Sequence, residues 1–169
     1  MADTFTPQQI AEAVGAGMFS KDRASRGLGM QIASIGPGTA RLTMPVREDM
    51  LNGMDICHGG FITTFADSAF AFACNSYNEL TVASGLNVDF TAPARLGDVL
   101  TAHATEVHQS GRTGVYDIDV RNQVGITIAL LARTNPIAVI PAAVLLGAMD
   151  AGASLMQSRT SVEPEIISI

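Results

Sequence analysis

Between Ile56 and Asn78 the chain carries one formally charged residue, Asp67, within the stretch CHGGFITTFADSAFAFACNS at 57–76. Phe61, Ile62, Phe65, Phe70 and Phe72 fall on every side of a helix drawn through it. A helix that is apolar all round is a buried one, so the rest of the chain must supply a layer that surrounds it. An ionised carboxylate in such surroundings is costly unless paired, and no lysine or arginine lies within a helical turn or two. Asp67 is expected either to be turned by burial into a base competent at neutral pH or to sit where a cleft admits water. The competing reading is a carboxylate that caps a local backbone group or lies exposed at a kink.

The flanking sequence reads as that layer. Thr6, Pro7 and Gln9 form an N-cap, a proline at N1 and a capping box, and Ile10, Ala13, Val14 and Met18 then recur on one helical face, expected to lie on the body of the domain. MQIASI and TARLTMPV, joined by Gly36, Pro37 and Gly38, read as a hairpin in which Ala40, Leu42, Met44 and Val46 alternate with polar residues. After the apolar helix, TVASGLNVDFTAP, VLTAHATEVHQS, TGVYDIDVRNQ and ITIALLART follow at the spacing of a meander, with Tyr116, Ile118 and Val120 alternating with Asp117, Asp119 and Arg121. The order is helix, hairpin, long helix, four strands. An antiparallel sheet with only one such helix to cover should curl around it, an α+β arrangement.

Composition narrows the function. A chain of 169 residues suits one domain with a sizeable core. A net charge of -6 argues against a nucleic-acid binder, although nine arginines suffice for a small phosphate-bearing ligand. The two cysteines, Cys57 and Cys74, follow no secreted or metal-binding spacing and are expected as free thiols in a reducing compartment, with a cytoplasmic location as the default. No signal peptide opens the chain, and the apolar run at 136–149 is too short for a membrane span and contains Pro141. His103 and His108, five apart on a strand, are expected on opposite faces and make a poor metal pair. No GxSxG, HExxH or P-loop is present, and Cys57 beside His58 is expected to diverge from it rather than act as a thiol nucleophile.

The start of the long helix is equally informative. Glycines at a helix N-terminus let a ligand approach unshielded N–H groups at the positive end of the dipole, and two such donors aimed at one carbonyl oxygen make an oxyanion hole. The alternative is that Gly59 and Gly60 serve only a tight turn or close packing. Gly60 and Asp67 lie two turns apart, about 10 Å of rise, whereas reacting groups must converge to about 3 to 3.5 Å. If both ends of the helix are catalytic, two such helices side by side would have to share each site, predicting an obligate dimer.

The pattern Asn52, Gly53, four residues, His58, Gly59, Gly60, six residues, Asp67, followed by VASGLNVDFTAPARLGD and GRTGVYDIDVRNQ, resembles the hotdog-fold acyl-CoA thioesterases of the phenylacetate-degradation (PaaI) family over about residues 7–131. The resemblance implies a hotdog fold, a curved antiparallel sheet wrapped around a long central helix, in dimers that pair into tetramers. It implies hydrolysis of acyl-CoA thioesters without cofactor or metal, with Asp67 as general base or nucleophile. By the same resemblance the Gly59 N–H polarises the thioester carbonyl, Asn52 across the interface holds the water or the acid in line, and His58 orients the loop or bonds near the sulfur. Leu51, Met54, Phe65 and Phe70 are its candidates for the acyl pocket, whose size favours an aryl group such as phenylacetyl or hydroxyphenylacetyl, with medium-chain acyl groups as the other substrate class, and Gly60 is a further substrate-binding candidate. Ser84 is the candidate polar helper, and Phe90, Pro93, Arg112 and Thr113 are the candidates for coenzyme A. A hotdog hydratase lacks its Asp-His motif here, and the rival from another class is a non-catalytic acyl-CoA-binding or sensing hotdog protein.

The resemblance ends with the last strand. Residues 1–134 are assigned to the hotdog domain and 135–169 to an atypical C-terminal extension, explained either by a frameshift in the coding sequence or by an added helix over VLLGAMDAGASLMQS.

Overall fold

The computed structural model describes residues 5–136, so the extension expected over 135–169 lies, beyond the end of the last strand, outside the described residues. The elements run α1 (Pro7–Lys21), α2 (Arg23–Gly27), β1 (Gln31–Gly36), β2 (Thr39–Pro45), a 3-10 turn (Glu48–Met50), α3 (Gly59–Asn75), β3 (Asn87–Phe90), β4 (Val99–Ser110), β5 (Thr113–Arg121) and β6 (Thr127–Pro136). One antiparallel sheet takes the order β1-β2-β4-β5-β6-β3, and α3 packs across β1, β2, β4 and β5. This is the α+β arrangement in which a sheet covers one apolar helix. Among the described residues, no helix is long and apolar enough to cross a membrane.

The alternation read from sequence places the core. Leu42, Met44, Leu100, Ile118 and Val120 are fully buried against Phe65, Phe70 and Phe72 of α3, while Asp117 and Arg121 face outward. The expected meander holds only for β4, β5 and β6. β3 does not neighbour β4 but pairs with β6 at the far edge, because α3 carries the chain across the sheet before it returns.

Two further expectations are corrected. In α1 the capping box forms as read, with Thr6 Oγ1 accepting from the Gln9 N–H at 3.2 Å and Gln9 Oε1 accepting from the Thr6 N–H at 2.8 Å. The buried positions, however, are Ala11 and Gly15, while Ala13 is exposed and Ile10, Val14 and Met18 are half-buried. Small residues face β1 because the helix backbone comes close to it; a Cβ on Gly15 would stand 2.9 Å from Ile35 Cδ1. His103 and His108 share the outer face of the sheet, opposite Asp119 and Val115 respectively. A β-bulge between Glu106 and His108 inserts the residue that restores their parity. Four register steps, about 13 Å, still separate them.

The far end of α3 is locked by polar groups. Buried Asn75 donates through Nδ2 to the Ala71 and Thr81 carbonyls and accepts the Thr81 N–H, each at 2.9 Å. Ser76 Oγ accepts the Gly38 N–H at 2.8 Å, so the β1–β2 turn is held to the helix end. Gly38 has φ +66°, and a Cβ there would stand 2.7 Å from the Tyr77 hydroxyl. Tyr116 packs edge-on against Phe70 and donates to Glu106 Oε2 at 2.8 Å.

Burial, then the neighbouring Glu106, pushes the Tyr116 hydroxyl pKa well above its ordinary value, and the same two causes raise that of Tyr77. The native state therefore keeps protons that the unfolded chain releases near pH 10, and stability falls as pH rises beyond that value. The midpoint of thermal unfolding is expected to drop above about pH 10. Tyr116→Phe should drop less steeply over that range, and an unchanged slope would mean that Tyr116 is not responsible.

Candidate active site

The segment from Val46 to His58 is anchored to the β3–β4 connection before the helix begins. The Val46 N–H bonds the Asp98 carbonyl at 2.8 Å, Cys57 N–H the Ala94 carbonyl at 2.8 Å, and His58 N–H the Met50 carbonyl at 2.8 Å. Leu51 and Cys57 form an antiparallel bridge, and the residues between them make a tight loop. Asn52 organises that loop. Its N–H bonds the Ile56 carbonyl at 2.9 Å, and its Oδ1 accepts from the N–H groups of Met54 at 2.9 Å and Ile56 at 3.4 Å. Asp55 takes φ +56° at the tip, a conformation that a short polar side chain tolerates. With Oδ1 engaged by the loop, the polar atom that half-buried Asn52 has left to offer is the Nδ2 amino group, a donor.

His58 is the N-cap of α3. Its Nδ1 accepts the Gly60 N–H at 2.9 Å, and its ring stands edge-on to Phe61. An accepting Nδ1 in a neutral imidazole leaves the proton on Nε2. The cap changes the expected pair of oxyanion donors. The Gly60 N–H is taken by His58, whereas the Gly59 N–H meets no acceptor among the described residues. One donor at the positive end of the helix dipole remains for a ligand.

That donor opens on a cleft of about 610 Å³ lined by Asn52, Ile56, Cys57, Gly59, Ile62 and the run Phe90–Pro93. The second wall is held by β6, since the Thr91 N–H bonds the Ile128 carbonyl at 2.9 Å and Thr91 Oγ1 donates to the Thr127 carbonyl at 2.7 Å. Of the residues singled out from sequence, the fold thus gathers Asn52, Gly59, Phe90 and Pro93 around one space. Ile56, Ile62, Thr91 and Ala92 join them; Ile62 was legible as the position one turn past Gly59, whereas the others required the fold.

The remaining candidates lie elsewhere in the single chain. Phe65 and Phe70 are 0% and 1% exposed and belong to the core beneath the sheet rather than to the cleft wall. Leu51 is half-buried in its bridge, and Met54 sits at the loop tip, 73% exposed. Ser84 lies exposed in the segment before β3. Arg112 lies in the β4–β5 turn and Thr113 opens β5. Thr113 is seven residues up β5 from Val120, which shares a register level with Ala129 and Phe90, so the turn is about 23 Å from the cleft of its own chain.

Asp67 lies eight residues into α3 from Gly59, about 12 Å along the axis, and does not line the cleft. It is half-buried, on a strip with Gly60, Thr64 and Ala71 that the chain's own sheet leaves partly open. Cys57 is buried, and burial pushes its thiol pKa up. With the adjacent His58 Nδ1 already accepting a backbone N–H, the two do not make a nucleophile and its base. Cys57 and Cys74 form no disulfide, and no metal-binding cluster is found among the described residues.

Replacing His58 with alanine removes the cap and is expected to cost about 1 kcal/mol in denaturant unfolding, most of which asparagine, also a good N-cap, should restore. Equal stabilities for wild type and His58→Ala would show that the cap contributes nothing.

Comparison with known proteins agrees with this geometry. Residues 54–129 match the Thioesterase superfamily. The chain is 47% identical over 113 residues to acyl-coenzyme A thioesterase PaaI of Escherichia coli (strain K12), covering 67% of this chain and 81% of that protein. Among solved structures, that of the E. coli PaaI protein from the phenylacetic acid degradation operon is similar with a TM-score of 0.76 at 41% identity, covering 78% of this chain and 95% of that one. The smu.793 protein of Streptococcus mutans UA159, solved bound to acetyl CoA, is similar with a TM-score of 0.61 at 26% identity, covering 63% and 86%. The helix wrapped in an antiparallel sheet, the capped HGG start of that helix and these likenesses together place the chain in the thioesterase superfamily, as a hotdog-fold thioesterase of the PaaI family.

Proposed function

We propose that this protein hydrolyses acyl-CoA thioesters, releasing free acid and coenzyme A, at sites shared between two protomers of a homodimer. The observation that carries this reading is the Gly59 N–H, without an acceptor among the described residues, in a cleft beside Asn52 while the helix's only acid stands about 12 Å away. The coenzyme A thioester as substrate is supported by the activity named for the E. coli relative and by the acetyl CoA bound to the S. mutans protein.

In this reading the thioester carbonyl oxygen accepts from the Gly59 N–H, which stabilises the oxyanion as charge develops there. The partner's Asp67 either takes the proton of an attacking water or attacks the carbonyl carbon itself to give an anhydride that water opens. On either route the C–S bond breaks and the thiolate of coenzyme A leaves and is protonated. The Asn52 amino group donates to the water or to that carboxylate. The acyl group is aryl-acetyl or medium-chain.

The dimer is supported by what the single chain leaves uncovered. β3 is an edge strand of four residues, and Leu80, Val82, Leu86, Phe90 and Leu130 are exposed large apolar residues on or beside it. An apolar, unpaired edge is a template for a second strand, and a two-fold axis there would pair like with like. The same axis would set the open strip of one α3 beside the cleft of the other, and such dimers would then pair into tetramers. Arg112 and Thr113, distant from their own cleft, are assigned to the coenzyme A bound at another protomer's.

The test is thiol release from a panel of acyl-CoAs. Asp67→Ala is expected to lose at least about a hundredfold in kcat while remaining folded. Equal rates from both proteins would overturn the assignment, and tight binding without turnover would favour an acyl-CoA-binding protein. Sharing has its own signature. Mixing inactive Asp67→Ala with inactive Asn52→Asp under subunit exchange should restore about a quarter of wild-type activity, since half the dimers are mixed and each holds one intact site. No recovery despite exchange would place both residues in the same protomer's site.

A further inference from the structure

Gly59 does not need to be glycine for its backbone, because its φ lies outside the left-handed region and it occupies the first turn of an ordinary helix. What crowds it is a side chain of its own protomer. A Cβ at position 59 would stand 2.9 Å from Phe90 Cζ and 3.3 Å from both Cε1 and Cε2, so the tip of the Phe90 ring rests on the glycine Cα. Phe90 is 53% exposed, yet that tip is in contact and its backbone is fixed, paired with Ala129 and followed by the Thr91 bonds to β6. The ring therefore covers one flank of the peptide that carries the unclaimed N–H, leaving approach from the flank of Asn52 and Ile56.

We propose that Phe90 is a positioning residue for the thioester. Its ring closes one side of the Gly59 N–H to water, fixes the direction from which the carbonyl reaches it, and is the reason position 59 is glycine. This rests on the hydrolase reading above, in which that N–H is the oxyanion donor. An alanine at 59 would keep the donor but push the ring aside, since Cζ is the far end of a side chain. The Gly59→Ala and Phe90→Ala enzymes should thus be impaired for one shared reason, the loss of the ring from its place.

The experiment is a double-mutant cycle on kcat and KM with one acyl-CoA, together with thermal unfolding of each variant. Gly59→Ala and Phe90→Ala are each expected to lose roughly ten- to a hundredfold, mainly in kcat, and the double variant no more than either alone. Phe90→Leu, which keeps a shorter apolar wall, should recover part of the loss. Multiplicative losses in the double variant, or a Phe90→Ala enzyme with wild-type kcat/KM beside an impaired Gly59→Ala, would overturn the proposal and leave the glycine as clearance for substrate alone. These outcomes are read against an active wild type. A wild type inactive on every thioester would instead defeat the hydrolase reading, while non-additive unfolding midpoints would still register the Phe90–Gly59 contact.

Discussion

The first turn of α3 is the constraint on which the rest of the site depends. A helix leaves its leading N–H groups without intrahelical partners, and here those groups are divided with consequence. The His58 ring takes one, the His58 carbonyl takes the Phe61 N–H at 3.0 Å, and the Gly59 N–H is left to the cleft. That division needs the helix start to be held fast, which explains why Cys57 and His58 are tied by their own N–H groups to Ala94 on one side and Met50 on the other. A donor whose direction matters is best carried by backbone that hydrogen bonds hold on both sides.

The second constraint is that one sheet cannot cover a helix on all sides. β1, β2, β4 and β5 enclose the face bearing Phe65, Ala66, Ala69, Phe70, Phe72 and Ala73, and the strip of Gly60, Thr64, Asp67 and Ala71 stays partly open. That strip is also the more polar one, with Thr64 Oγ1 turned back onto the Gly60 carbonyl at 2.9 Å. The acid therefore stands where solvent or a second molecule reaches it, and not in the core where desolvation would dominate. The same incomplete wrapping is what would let the proposed shared site draw on the strip of a second protomer.

Much of this was legible in the sequence. Period-two alternation in TARLTMPV and TGVYDIDVRNQ set the buried faces of β2 and β5 because each packs on one side only. The separation of Gly60 from Asp67 followed from helical rise alone. Other features depended on tertiary contacts that composition does not encode. Counting large side chains missed the face of α1 because Ala11 and Gly15 pack through the absence of bulk. Parity along β4 failed at a bulge that brings both histidines to one face. The aromatic size of Phe65 and Phe70 pointed to a pocket, yet the two rings fill the core, whereas Phe90 earned its place in the cleft through pairing with β6.

The two ends of α3 show how stability and reactivity are kept apart in so small a domain. At the C-terminal end, Asn75 ties the helix to Thr81 and Ser76 ties it to the Gly38 N–H of the β1–β2 turn, while the Gly38 carbonyl accepts the N–H of Glu106 in the bulged part of β4, whose carboxylate takes the Tyr116 hydroxyl. Buried polar groups rigidify a fold when each finds its partner and weaken it when one does not. At the N-terminal end one donor has no acceptor among the described residues, but at a cleft, where water can meet it and the cost of an orphaned group is small. Were the two arrangements exchanged, the open donor would lie in the core and the satisfied network in the cleft, and the domain would be both less stable and inert.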